Sequence, residues 1–255
     1  MFDGKTFYHQ TTRRAVIAFG VMFNNLYVRR KDSSGNTIQT LRVPLAYAAK
    51  DRMLARIQAL PDADKMQKEV TLPRMSFEIV AFEYDGARKI NNMNPISAPI
   101  NQTQAKRVYG PTPYNITMNL YAYAKNQDDG LQIFEQIVPA FNPDFNVTVN
   151  YIPEMGIKHD LPIILNSVTF QDDFEGDMAE RRTILWTYTF TLKLYYYGPT
   201  ETQNIIRTSM ANVFNDPNLD NLINKYTATT DPANALPTDS FNFVQTVTDA
   251  NNQPG

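Results

Sequence analysis

The pattern that most constrains the fold is an alternation of side-chain character over residues 183 to 194. Such an alternation indicates a β-strand with one face in a core. At about 3.3 Å per residue the strand would be roughly 40 Å long, which is well beyond an average strand. We therefore expect a sheet whose longest strand projects beyond its neighbours. The core positions would be Ile184, Trp186, Tyr188, Phe190, Leu192 and Leu194.

Shorter patterns predict further strands and three helices. Alternation after Pro113 and the segment 75–84 predict two more strands, and the turn sequence DSSGN predicts a hairpin joining residues 26–30 and 37–43. Apolar residues spaced by three or four predict the helices. These begin near Thr11 or Thr12, at about Ala46, where the helix would end before Pro61, and at about Asp128, where it would end before Pro139.

These elements predict an α+β fold, with a mixed, mainly antiparallel β-sheet flanked by a few α-helices. Residues 85–110 are rich in Asn, Pro, Gln and Ser and predict a long loop. We expect residues 1–200 to form a single α+β core domain. Residues 201–255 have only sparse apolar positions and predict an extended, irregular C-terminal arm or tail.

Composition excludes several kinds of chemistry. The 255 residues include no cysteine, which rules out disulfides, thiolate nucleophiles and cysteine metal sites. P-loop, dinucleotide and HExxH motifs are absent, and only His9 and His159 could serve a histidine-based site. The 24 bases against 26 acids give no general attraction for a polyanion. No apolar run is long enough for a membrane span, so we expect no membrane partner.

The strongest chemical candidate is an acidic cluster just before the long strand, in the sequence FQDDFEGDMAERR. If Asp173 is the first ligand of a calcium loop, Met178 takes the place of the sixth-position glycine and Ile184 that of the final glutamate. Acids around a glycine between two strands are also typical of a solvated turn. Because the spacing does not match a calcium loop, we favour the turn. A cation site remains the alternative.

Basic pairs offer a second kind of site. They lack the interleaved aromatic residues of a single-strand nucleic-acid reader, which favours salt bridges between subunits over a nucleic-acid surface. We expect no catalytic, cofactor-binding or metal-binding residues. The predicted interface residues are Arg13, Arg14, Arg29, Arg30, Asp172, Asp173, Glu175, Asp177, Glu180, Arg181 and Arg182.

Several segments together resemble the tail sheath stabiliser and completion proteins, the tail terminators of contractile-tailed bacteriophages. The resemblance covers most of residues 7 to 208. It rests on TTRRAVIAFGVMFNNLYVRR, RVPLAYAAKDRM, LPRMSFEIVAFEY, FEQIVPAFNPDFN, GDMAERRTILWTYTF and IIRT.

The resemblance implies a structural virion protein that is not an enzyme and needs no cofactor. Such a protein would form a homohexameric ring on the head-proximal end of the tail tube and contractile sheath, at the tail-neck junction. It would contact tail sheath, tail tube and neck or head-completion proteins, and genome DNA would pass its lumen without sequence-specific binding. Assembly would take place in the cytoplasm of the host bacterium. The alternatives are a DNA-contacting neck or connector component and a cation-binding enzyme using the acidic cluster at 172–180.

Overall fold

The computed structural model describes residues 6–58, 71–91, 93–101, 103–142, 144–173, 183–215, 222–236 and 239–249. Its helices are α1 (Thr11–Met22), α2 (Lys50–Gln58) and α3 (Gln127–Ile137). Its strands are β1 (Tyr27–Lys31), β2 (Thr37–Arg42), β3 (Leu45–Tyr47), β4 (Arg74–Tyr84), β5 (Ile96–Pro99), β6 (Gln104–Val108), β7 (Thr112–Ala124), β8 (Asp144–Ile152), β9 (Ile157–Asp173), β10 (Thr183–Tyr196), β11 (Glu201–Asn204), β12 (Thr208–Phe214), β13 (Leu222–Asp231) and β14 (Asn242–Asp249).

The main sheet has the strand order β3-β4-β7-β10-β9-β8. Strands β3 and β4 are parallel, and the other neighbours are antiparallel. The predicted hairpin forms from β1 and β2. The α+β fold with a mixed, mainly antiparallel sheet is therefore confirmed.

The expectation that the long strand projects beyond its sheet is wrong. Strand β10 pairs with β7 from Ile184 to Tyr196 and with β9 from Thr183 to Leu192. Its neighbours are equally long, with 13 residues in β7 and 17 in β9. The long β10 is thus the central strand of a three-strand ladder, because β7 and β9 pair with its two sides.

One face of this ladder forms the main core. The apolar positions of β10 and β7 share it, and α1 and α3 pack on it. Phe19 of α1 meets Phe190 of β10 edge to face, with ring centroids 5.2 Å apart, and both side chains are fully buried. This aromatic contact is the kind that stabilises a core beyond its buried area.

The opposite face is covered in part by α2. Met53 and Ile57 of this helix pack on Tyr121, Tyr123 and Leu185. The helix begins at Lys50, later than expected, because residues 45–47 form β3 and pair with β4. Tyr123 lies under the helix, where its hydroxyl bonds to Ser76 Oγ at 3.1 Å, and burial raises the pKa of its phenol to about 12.

The prediction of a long loop at 85–110 is wrong for part of this segment. Strands β5 and β6 lie within it and form a small antiparallel sheet with β11. Each of these strands has only four or five residues, so their alternation is too short to show in the sequence.

The expectation of an irregular C-terminal arm is also wrong for the described residues. Strands β12, β13 and β14 form a three-stranded antiparallel sheet. Threonine and asparagine occupy many of its positions, so the apolar alternation that identifies a strand is weak here. The division into a domain at 1–200 and an arm at 201–255 stays a prediction, and β11 joins the start of the arm to β6.

A close helix-to-strand contact gives a stability test. A Cβ atom at Gly130 in α3 would lie 2.3 Å from Trp186 Nε1. The indole is held between Phe134 and Phe170, with centroid distances of 5.4 and 4.8 Å, so it has little room to move. Adding a methyl group to a packed core costs up to about 3 kcal/mol of stability. The higher helix propensity of alanine offsets about 1 kcal/mol of this cost.

We expect Gly130→Ala to lower the free energy of unfolding by about 2 kcal/mol in denaturant titrations. Gly198→Ala is the matched control, because a Cβ there meets nothing within 4 Å. Equal stability of the two variants would contradict the tight contact.

Candidate assembly interface

The predicted basic residues divide between internal contacts and the surface. Arg14 donates from Nη1 to the backbone oxygens of Asn150 and Tyr151, which fixes α1 to the sheet's edge strand β8. Arg13 and Arg29 are exposed. An interface function stays a prediction for all of these residues, and the exposed pair is better placed to meet a neighbour.

Arg30 forms an ion pair with Asp129 in the first turn of α3. Its Nη2 and Nε donate to the two carboxylate oxygens at 2.7 and 3.3 Å. The Asp129 side chain is 2% exposed, and that of Arg30 is 34% exposed. The hydrogen bond to this carboxylate raises the pKa of Arg30 above its ordinary value. This pair ties the β1–β2 hairpin to the core helix.

The acidic turn is only partly described. Asp172 is exposed near the end of β9, and the backbone of Asp173 pairs with Thr183. The chain between these two residues therefore links two antiparallel neighbours, and the turn interpretation of that segment stays a prediction. The remaining residues of the predicted cluster, Glu175, Asp177, Glu180, Arg181 and Arg182, lie outside the described residues.

Both histidines take part in contacts within the chain. His9 Nε2 lies 2.8 Å from the backbone oxygen of Gly198. The His159 ring stacks on Tyr197, and its Nε2 shares a hydrogen bond with the Tyr197 hydroxyl. In the described part of the chain, no group of three or more His, Asp or Glu side chains is placed to hold a metal ion. No helix there has the length and apolarity to cross a membrane.

The sheet face beyond α2 is polar and broad. Thr187, Thr189 and Thr191 of β10 lie on it beside residues of both neighbouring strands. Their partners include Thr117 and Asn119 on β7 and Ser167 and Thr169 on β9. Hydroxyl and amide groups in a flat array suit a polar contact with another protein better than a catalytic site, which needs a concave pocket.

A second unusual surface lies at the edge of the main sheet. Strand β3 pairs only with residues 75–77 of β4, and among the described residues no strand pairs with β4 on that side beyond this point. Residues 79–84, here called the open β4 edge, carry Val80, Phe82 and Tyr84, which are 54, 50 and 51% exposed. An open edge with exposed apolar side chains is a template for another chain.

Neither the open β4 edge nor the Arg30–Asp129 pair is predictable from a local sequence pattern. The strand itself was expected at 75–84, but which side of it lacks a partner in the described part of the chain depends on the sheet order. The two ion-pair residues are 99 positions apart, and no local pattern connects them.

Comparison with known proteins supplies the biological context. The family model described as the T4-like virus Myoviridae tail sheath stabiliser matches residues 6–253. The chain belongs to this family. It is also 30% identical over 210 residues to the tail completion protein gp15 of Enterobacteria phage T4, covering 80% of this chain and 76% of the relative.

Membership confirms the resemblance and makes the chain a structural component of a phage tail that acts in tail termination. The family model also extends the resemblance. We expected the similarity to end near residue 208, whereas the match continues through the C-terminal sheet. The similarity to the family therefore includes the predicted arm up to residue 253.

The Arg30–Asp129 pair gives a test that separates internal from surface arginines. Arg30→Met would leave a buried carboxylate without its partner, and breaking such a pair costs several kcal/mol when both ions are buried. Because Arg30 is partly exposed, we expect a loss of about 2 kcal/mol in the free energy of unfolding.

Arg29→Met is the control one position away, and it should change stability by less than about 0.5 kcal/mol. Urea titrations of both variants measure the difference. A similar loss in both would show that the pair does not stabilise the hairpin.

Proposed function

We propose that six copies of the chain form a ring on the head-proximal end of the tail tube and contractile sheath. The ring ends the growth of both, stabilises them, and offers its other face to the neck and head-completion proteins. It occupies the tail-neck junction of the virion, after assembly in the host cytoplasm. Genome DNA passes through its lumen without sequence-specific contacts.

The family match carries this proposal. The matched family is that of tail sheath stabilisers, and the similar phage T4 protein is a tail completion protein. Two surfaces of the subunit add support. The polar face and the open β4 edge are different in chemistry and lie on different parts of the sheet. A ring subunit needs unlike surfaces of this kind, because its neighbours in the ring and the tail beneath it contact different patches.

The same arrangement suits a protein that binds several partners at once. A ring face made from one flat sheet surface per subunit would repeat the same hydroxyl and amide groups around the axis. A growing tube or sheath also repeats its subunits, so matched symmetry multiplies a weak contact.

Electron microscopy tests the ring directly. We expect negatively stained samples of the purified chain, alone or mixed with tail tubes and sheathed tails, to show six-fold rings and a cap at one tail end. A dilute sample without tails can remain monomeric, because a ring held by its target forms by mass action. Chains that stay monomeric and never decorate a tail end would contradict the proposal.

The DNA-contacting alternative predicts a different result. Binding of a duplex to the ring should then weaken steeply as salt is raised, because phosphate contacts release counterions. The tail-terminator proposal expects no such binding. A salt-dependent duplex affinity without tail capping would favour the alternative.

The predicted charged contacts between subunits have their own test. We expect Arg181→Glu together with Arg182→Glu to lower the yield of rings on tails, and the loss should shrink as salt is raised, because salt screens charge repulsion. Lys158→Glu is the control, since this exposed residue lies on β9 away from the acidic turn. Ring yields that are equal for the two variants would exclude the basic pair from the interface.

A further inference from the structure

The three-stranded C-terminal sheet carries a cluster of apolar residues on one face. Ala211, Tyr226 and Val247 are direct cross-strand partners and therefore point to the same side. The register adds Val213 and Phe243 to that side. We call these five residues the arm face.

The arm face is exposed in the subunit. Tyr226 is 44%, Val247 38% and Phe243 64% exposed. Among the described residues, β12, β13 and β14 pack chiefly on one another. A small sheet gains stability by burying an apolar face against a second layer, so a free arm face indicates that another molecule supplies that layer.

The open β4 edge is the complementary surface. It is also apolar and exposed, with Val80, Phe82 and Tyr84 half accessible to solvent. Both surfaces are exposed in the same subunit, so they do not cover each other within one chain. Two apolar surfaces that remain free in every copy can be buried together when copies associate.

The net charges of the arm and of the rest of the chain are opposite in sign. Residues 201–255 contain six acids and two bases, a net charge of −4, which leaves 20 acids and 22 bases, a net charge of +2, in residues 1–200. Helix α2, which contacts β4, carries the exposed Arg52 and Arg56 on this core. An acidic arm is thereby attracted to the core of another copy, and such charges orient an encounter.

We propose that the arm face of one subunit packs against the open β4 edge of a neighbouring copy of the chain. The proposal rests on the ring proposed above and names the contact that joins its subunits. Each copy gives its arm to one neighbour and receives an arm from the other, so the contact is heterologous and repeats around the ring.

Photo-crosslinking from the arm face tests this contact. The photoreactive residue p-benzoylphenylalanine replaces Tyr226 in the full chain, and rings on tails are irradiated and digested. We expect a covalent dimer of the chain, in which mass spectrometry maps the link to residues 74–89. The control places the same residue at Tyr109, which is outside the arm and 46% exposed, and should give no link to those residues.

The outcomes separate this inference from the ring itself. A link within one chain, a link to the sheath or tube protein, or a link to another part of the neighbour would overturn the arm contact while the rings persist. An absence of rings on tails with the unmodified chain would instead overturn the proposed function.

A pair of charge substitutions gives an independent readout. Tyr226→Asp places a carboxylate in the arm face, and burying that charge is unfavourable. We expect at least about a tenfold lower affinity for ring formation, since each 1.4 kcal/mol is a factor of ten. Thr246→Asp is the matched control, because Thr246 is exposed on the same sheet but points to the opposite side. Equal ring formation by both variants would show that the arm face is not buried between subunits.

Discussion

The β7–β10–β9 ladder is the constraint on which the rest of the structure depends. Three long paired strands place the alternating apolar side chains of β10, from Ile184 to Leu194, on one side, whereas Leu185 lies on the other. The helices α1 and α3 pack on that side, where burial of apolar side chains offsets the loss of chain entropy. The other side keeps its threonines. A sheet built this way has a natural inside and a natural outside surface.

Sequence periodicity identified the parts of the fold whose signal is local. The alternation in β7 and β10 and the hairpin turn at Gly35 each lie within a dozen residues, and each formed as expected. Gly35 has φ of 84°, which glycine adopts without strain. The short strands β5 and β6 and the threonine-rich C-terminal strands were missed, because too few alternating apolar positions mark them.

The candidate interface was harder to predict than the fold, for a physical reason. Arg13-Arg14 and Arg29-Arg30 look alike in sequence, yet Arg14 and Arg30 make bonds within the chain, whereas Arg13 and Arg29 are exposed. Which member of a pair turns inward depends on the side of the helix or strand it occupies and on what packs there. An open sheet edge is likewise defined by the strand that ends beside it. Because β3 is short, most of β4 has no partner on that side among the residues that the structure describes.

A protein that ends the growth of a tail needs subunit contacts that close into a ring. Unlike patches joined at an angle give a ring when the rotation closes and a filament when it does not. In the proposed contact, the arm face belongs to a small separate sheet, and the open β4 edge belongs to the main sheet. A ring that closes more easily on a tail end than in free solution would form mainly where termination is needed.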